Sequence, residues 1–186
     1  MNCIKTVSLA KEIGQARMWV LSVLVMLLYF LVFYTMFQTF GSQAALQEAG
    51  FFYTILLLML ILPLHLVLHC LPVWAAGKKA KFGFRRSQWP FLFYSVKEPV
   101  PRTLSLVSTL FPAAVLTLTA FAAAALLPAY THVIGIVSAF HFGLCTYDFF
   151  TARQMFAAPK ECLIEDNRSG FHIVQPIREI ESTGTE

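Results

Sequence analysis

The sequence predicts an all-α integral membrane protein: four transmembrane helices, a cytoplasmic middle loop and a short cytoplasmic C-terminal tail. Three observations predict it. Of 186 residues, 58% are hydrophobic and only 13% are charged. The apolar residues fall in four runs, each near the length a bilayer core demands, about 20 residues per helix. The 14 Lys and Arg are confined to three of the stretches outside those runs and are absent from the other two.

Taken in order, the chain opens with a polar segment in which Ser8 to Ile13 fits a short interfacial helix. The first span runs from Met18 to Phe40. Its apolar run exceeds the 7–15 residues of a signal-peptide core, so it reads as a retained anchor. The second span, Phe51 to Trp74, contains His65 and His69. The loop 75–103 follows. Lys81 to Arg85 alternates polar and aromatic residues, and Phe91 to Val96 is rich in aromatics. A β-hairpin at the membrane surface and a plain basic, aromatic interfacial loop both fit. The third span, Leu104 to Leu127, is expected to kink at Pro112. It carries a stripe of small residues, Ala113, Thr117, Ala120 and Ala124, that lets another helix come close. The fourth span, Val133 to Phe150, is the least apolar and contains His141 and Asp148. Residues 160–174 read as a short hairpin around a polar turn. Residues 175–186 are expected to be disordered, and residues 1–174 form one membrane domain.

The basic residues set the orientation. They precede the first span, fill the middle loop and follow the fourth span, whereas Gly41 to Gly50 and Pro128 to His132 hold none. The positive-inside rule then puts both termini and the middle loop in the cytoplasm, with the protein in the cell membrane. The net charge of +4 is a property of that face, which meets anionic lipid, and does not point to nucleic acid. The expected partners are the lipid bilayer and another membrane protein. The four cysteines do not form a disulfide framework: Cys70 and Cys145 lie in or beside spans, and Cys3 and Cys162 face a reducing compartment.

An ionisable side chain within a span is costly and faces the bundle interior, paired with something. His65 and His69 lie one turn apart on one helix face, the spacing of the zincin motif H-E-x-x-H. The Glu position of that motif holds Leu66. His141 and Asp148, seven residues apart, also share a face. Counted from the outer ends of their spans, His65 and Asp148 are level, about 21–23 Å deep at 1.5 Å per residue. His141 lies about 10 Å farther out by the same count, too far to be an equal ligand. Two imidazoles and a carboxylate are a common zinc set, with a fourth position open. A His65–Asp148 hydrogen bond that ties two helices together without metal fits the same residues.

The segments Pro63 to Leu71 and Ser138 to Phe149, with the tail Glu161 to Glu165 and Ser169 to Ile173, resemble a bacterial membrane family labelled putative zincin peptidases. Fuller members look like distant relatives of site-2 intramembrane proteases. These carry H-E-x-x-H on one span and an Asn followed seven residues later by an Asp on another. The resemblance implies zinc as cofactor, with His65, His69 and Asp148 as its ligands and His141 at the Asn position. Two departures stand out: Leu66 in place of Glu and His141 in place of Asn. Peptide hydrolysis needs a base for the attacking water and an acid for the leaving amine, together contributing roughly 10²–10⁴-fold. Leu66 supplies neither, and His141 is the only other candidate within the spans.

Three functions therefore stand at the level of sequence. The first is a degenerate zincin-type membrane protein that binds metal or a membrane partner without proteolysis. The second is an active zinc-dependent intramembrane protease with an unusual base. The third is a metal-free structural or adaptor protein.

Overall fold

The structure, a computed structural model, describes residues 2–8, 12–41, 44–84, 92–96, 98–167 and 170–175. Strand β1 (Asn2–Val7) precedes helix α1 (Gln15–Phe40) and helix α2 (Phe51–Ala75). The middle segment holds β2 (Ala80–Phe84), β3 (Leu92–Val96) and β4 (Val100–Pro101) and leads into α3 (Arg102–Leu126). A 3₁₀ turn at Pro128–Tyr130 enters α4 (Thr131–Phe156), and β5 (Leu163–Asn167) and β6 (Gly170–Gln175) follow. Among the described residues, four helices are long and apolar enough to cross a membrane.

Helix α4 is the hub, packed against α1, α2 and α3. Its approach to α1 depends on a missing side chain. A Cβ at Gly143 would lie 3.0 Å from both Met26 Cβ and the Ser22 carbonyl oxygen, so the two backbones meet where α4 has no side chain. Tyr29 on α1 and Ser138 on α4 are joined by a 2.7 Å hydroxyl hydrogen bond. The small-residue stripe of α3 is buried at Ala113, Ala120 and Ala124, and the last two pack with Phe33 of α1. The opposite surface of α1, with Leu24, Leu27, Leu28 and Leu31, is exposed, as a lipid-facing surface should be.

The chain is not all-α. A four-stranded antiparallel sheet, in the order β1-β6-β5-β4, packs at one end of the bundle. Val7, Val100, Ile164, Phe171 and Ile173 from these strands form a core with Val73 of α2 and Met155 of α4. The tail hairpin is present as β5 and β6, but it is the centre of a larger sheet. A local reading of the sequence misses this because β1 and β6 pair Asn2 with Gln175, across nearly the whole chain. At Ser8 to Ile13, the Glu12 N–H donates to the Ser8 carbonyl at 3.0 Å, and residues 9–11 of the expected interfacial helix lie outside the described residues. The middle loop forms an antiparallel hairpin, β2 with β3, and its tip at 85–91 lies outside the described residues. So do residues 176–186 of the stretch 175–186 expected to be disordered; its first residue, Gln175, ends β6 instead. The fourth helix begins two residues earlier and ends six later than the apolar run suggested.

One consequence bears on topology. The sheet joins the N-terminal segment, the middle segment and the C-terminal segment at the same end of the four helices. Helix α3 is connected to that end directly, because the Arg102 N–H donates to the Cys162 carbonyl at 3.2 Å.

Candidate metal centre

Helix α2 turns its buried face, including His65 and His69, toward α3 and α4. The two imidazoles meet with Nε2 to Nε2 at 3.0 Å. Asp148 closes the triangle from α4: Oδ2 lies 3.5 Å from His65 Nε2, and Oδ1 lies 3.5 Å from His69 Nε2. All three residues are buried.

The ring of His69 is oriented by its other nitrogen. Nδ1–H donates to the Ser108 carbonyl at 2.8 Å, and the Ser108 hydroxyl donates back to the His69 carbonyl. The Ser108 carbonyl is available for a chemical reason. In an unbroken helix it would accept the N–H of residue 112, but residue 112 is proline and has none. Pro112 thus supplies an acceptor to the neighbouring helix, the kind of re-satisfaction that makes proline tolerable within a membrane. With Nδ1 protonated, the neutral ring of His69 presents its Nε2 lone pair to the triangle.

His65 is held at both ends as well. Its Nδ1 lies 3.1 Å from His141 Nε2, and the same His141 nitrogen lies 3.3 Å from Cys145 Sγ. From the sheet end, the Tyr94 ring of β3 stacks on His69, with centroids 4.7 Å apart and planes at 9°. Its hydroxyl meets Thr109 Oγ1 at 3.3 Å. Burial, above all, pushes the Tyr94 phenol up from its ordinary value, so it stays neutral.

The donor set fits a zinc ion. Metal–ligand bonds of 2.0–2.2 Å at tetrahedral angles give ligand–ligand edges of about 3.3–3.5 Å. The observed edges are 3.0, 3.5 and 3.5 Å. Without a cation the arrangement leaves a group unsatisfied: Asp148 Oδ2 is buried and accepts no hydrogen bond from the described residues. Three histidines can relay N–H bonds from His141 through His65 to His69 and on to Ser108, but that chain leaves Asp148 Oδ2 without a donor. A buried carboxylate oxygen with no donor is costly, and a metal ion resolves it.

The structure brings His65, His69 and Asp148 together. It also corrects the depth count for His141, whose Nε2 touches His65. The helix starts explain this: α4 begins at Thr131, two residues before the expected span. His141 is then ten residues into α4 and His65 fourteen into α2, an offset of about 6 Å, which an imidazole side chain on a packed helix covers. Leu66 is buried and offers no proton acceptor, and Glu98 is engaged with Lys78 at 3.8 Å. Sequence reasoning passed over three residues. Ser108 was legible through Pro112, four positions later. Cys145 was legible as the residue one turn from His141 and three before Asp148. Tyr94 carries no sequence signal, because only the docking of β3 brings it to His69.

No curated protein and no solved structure matches the chain. One family model does, and its span of residues 58–163 takes in most of α2, all of α3 and α4, and His65, His69, His141, Cys145 and Asp148. A match over more than half the sequence, centred on this cluster, shows that the chain belongs to the family described as putative zincin peptidase.

Proposed function

We propose that this chain is a membrane-embedded zinc-binding member of its family that does not hydrolyse peptides. His65, His69 and Asp148 hold the metal. The observation that carries this reading is the Asp148 carboxylate, which faces two imidazole Nε2 atoms while its buried Oδ2 has no donor among the described residues. When bound, zinc supplies Lewis-acid polarisation. The residues around it supply orientation: Ser108 fixes the His69 tautomer, and Tyr94 and the surrounding apolar side chains keep water away. They do not supply the proton transfers of hydrolysis, because Leu66 stands where the motif has its base and Asp148 is engaged with metal.

Two measurements on the purified protein test this. Wild type should retain zinc near stoichiometry, and a His65→Ala/His69→Ala double variant should retain none; metal-free wild type would overturn the zinc assignment. Wild type should leave membrane-protein substrates intact, whereas Leu66→Glu, which restores H-E-x-x-H, should gain metal-dependent cleavage. Robust wild-type cleavage abolished by His65→Ala would overturn the non-proteolytic reading and favour an active protease using His141.

The same reading sets the protein in the cell membrane with both termini and the middle segment in the cytoplasm. Two features support this: the sheet that joins those segments, and the confinement of every Lys and Arg to them. Reporter fusions after Gly41 and Pro128 should read external, and one after Gly184 cytoplasmic. An external Gly184 reporter would reject the topology.

A further inference from the structure

His65 has two nitrogens, and they face two different clusters. Nε2 faces His69 and Asp148. Nδ1 faces His141 Nε2 at 3.1 Å, and that atom faces Cys145 Sγ at 3.3 Å. One ligand atom from each of His65, His141 and Cys145 lies within 4.8 Å of the others, and all three residues are buried. We propose that His65 Nδ1, His141 Nε2 and Cys145 Sγ form a second metal site, for a zinc-class cation that accepts thiolate, and that the His65 imidazole bridges it to the first.

The chemistry follows from the donors. Two imidazoles and a thiolate are softer than two imidazoles and a carboxylate, so this site takes zinc or copper(I) in preference to magnesium, calcium or manganese. Bond lengths of 2.0–2.1 Å to nitrogen and 2.3 Å to sulfur give tetrahedral edges of about 3.4 Å and 3.6 Å. The observed contacts are a few tenths of an ångström shorter, a gap that small side-chain rotations absorb. Hydrogen bonding satisfies the cluster less well. A ring nitrogen carries one proton or one lone pair, and His141 Nε2 is approached by His65 and Cys145 at once. The placement on α4 is regular: Cys145 follows His141 by one turn and precedes Asp148 by three residues, so a single helix face serves both sites. Filling both sites releases the Cys145 thiol proton and the one ring proton of neutral His65, and leaves His65 as a bridging imidazolate.

The test uses cobalt(II) as a spectroscopic stand-in for zinc, titrated into metal-free full-length protein in detergent. Wild type should take up two equivalents, and one of them should bring a near-ultraviolet thiolate-to-cobalt band. Cys145→Ser, a near-isosteric change, should lose the band and one equivalent while keeping the other. Asp148→Ala should keep the band. A single wild-type equivalent with no thiolate band would overturn this second site and leave the zinc assignment above standing. A single equivalent that carries the band would keep the second site and overturn the first. A band that persists in Cys145→Ser would also overturn the proposal, since another sulfur would be the ligand. The wild-type spectrum decides by itself if a variant fails to fold.

Discussion

Helices α1 and α4 are both long enough to span a bilayer, and they are built in opposite ways. Within the most apolar window of each span, 6% of α1 is buried inside the protein and 56% of the α4 segment is. Helix α1 shows a row of leucines to its surroundings, whereas α4 buries Ser138, His141, Cys145, Thr146 and Asp148. In water the more apolar helix would be the inner one. In lipid an apolar side chain gains little by moving from acyl chains to protein, while a polar one is costly until it finds a partner. The least apolar span therefore goes to the centre, and the chemistry goes with it.

The sharpest way to break that contrast is to spoil the contact between the two helices. Gly143→Leu puts a side chain where Met26 Cβ and the Ser22 carbonyl are already 3.0 Å from an added Cβ. Overpacking of this kind costs about 1–3 kcal/mol, and the backbone part of the clash places this case at the upper end. Leu28→Ala, on the 64% exposed side of α1, should change stability by less than about 0.5 kcal/mol. Unfolding of both variants in the same detergent checks the pair; equal effects would mean that α1 and α4 are not differently packed.

A second prediction sharpens the contrast from the site. Pro112→Ala restores an N–H that competes with His69 for the Ser108 carbonyl. Zinc affinity should fall by about 10–100-fold, as when a partner of a metal-bound histidine is lost. Stability of the metal-free protein should stay level or rise, since a helix interior gains by replacing proline. Metal titration beside thermal unfolding separates the two. A parallel fall in both would reduce Pro112 to a packing residue.

The smallest effect concerns the sheet. The Asp166 side chain accepts the Val96 N–H at 2.6 Å, joining β5 to β3. Burial, the largest influence, pushes its carboxyl up from the ordinary value. The native state then holds a proton that the unfolded state has released. That contribution to stability is complete below the unfolded value and is lost as pH rises through the folded one. Asp166→Asn keeps an acceptor for Val96 and does not titrate. From about pH 4 to pH 7, wild type should lose stability relative to this variant. A difference independent of pH would dismiss Asp166 as a titrating group.

The membrane half of this molecule was legible because lipid imposes a simple code. Length, apolarity and Lys/Arg placement located four spans within a few residues, and the H-x-x-x-H spacing with Asp148 located the cluster. The four-stranded sheet was legible only at its β5–β6 hairpin, since β1 and β4 find their partners far along the chain. His141 was misjudged for a related reason: counting depth along straight, parallel helices ignores where each helix starts and how far an imidazole reaches. Ser108 and Tyr94 mark the two cases of omission. The first followed from covalent chemistry already present at Pro112, whereas the second depended on a fold that only the assembled sheet defines.

The bond between Val96 and Asp166 also sets an order of events. Helices enter the membrane as they are made, so both histidines and Asp148 are available before the sheet can exist. Strand β3, with Tyr94, is tied to β5 through Val96 and Asp166, and β5 is flanked by β6, which in turn holds β1. Asp148 to Gln175 spans 27 residues, so at 5–20 residues per second the complete cluster spends roughly 1–5 s on the ribosome without its finished cover. That interval is when the cluster is least covered by the rest of the chain.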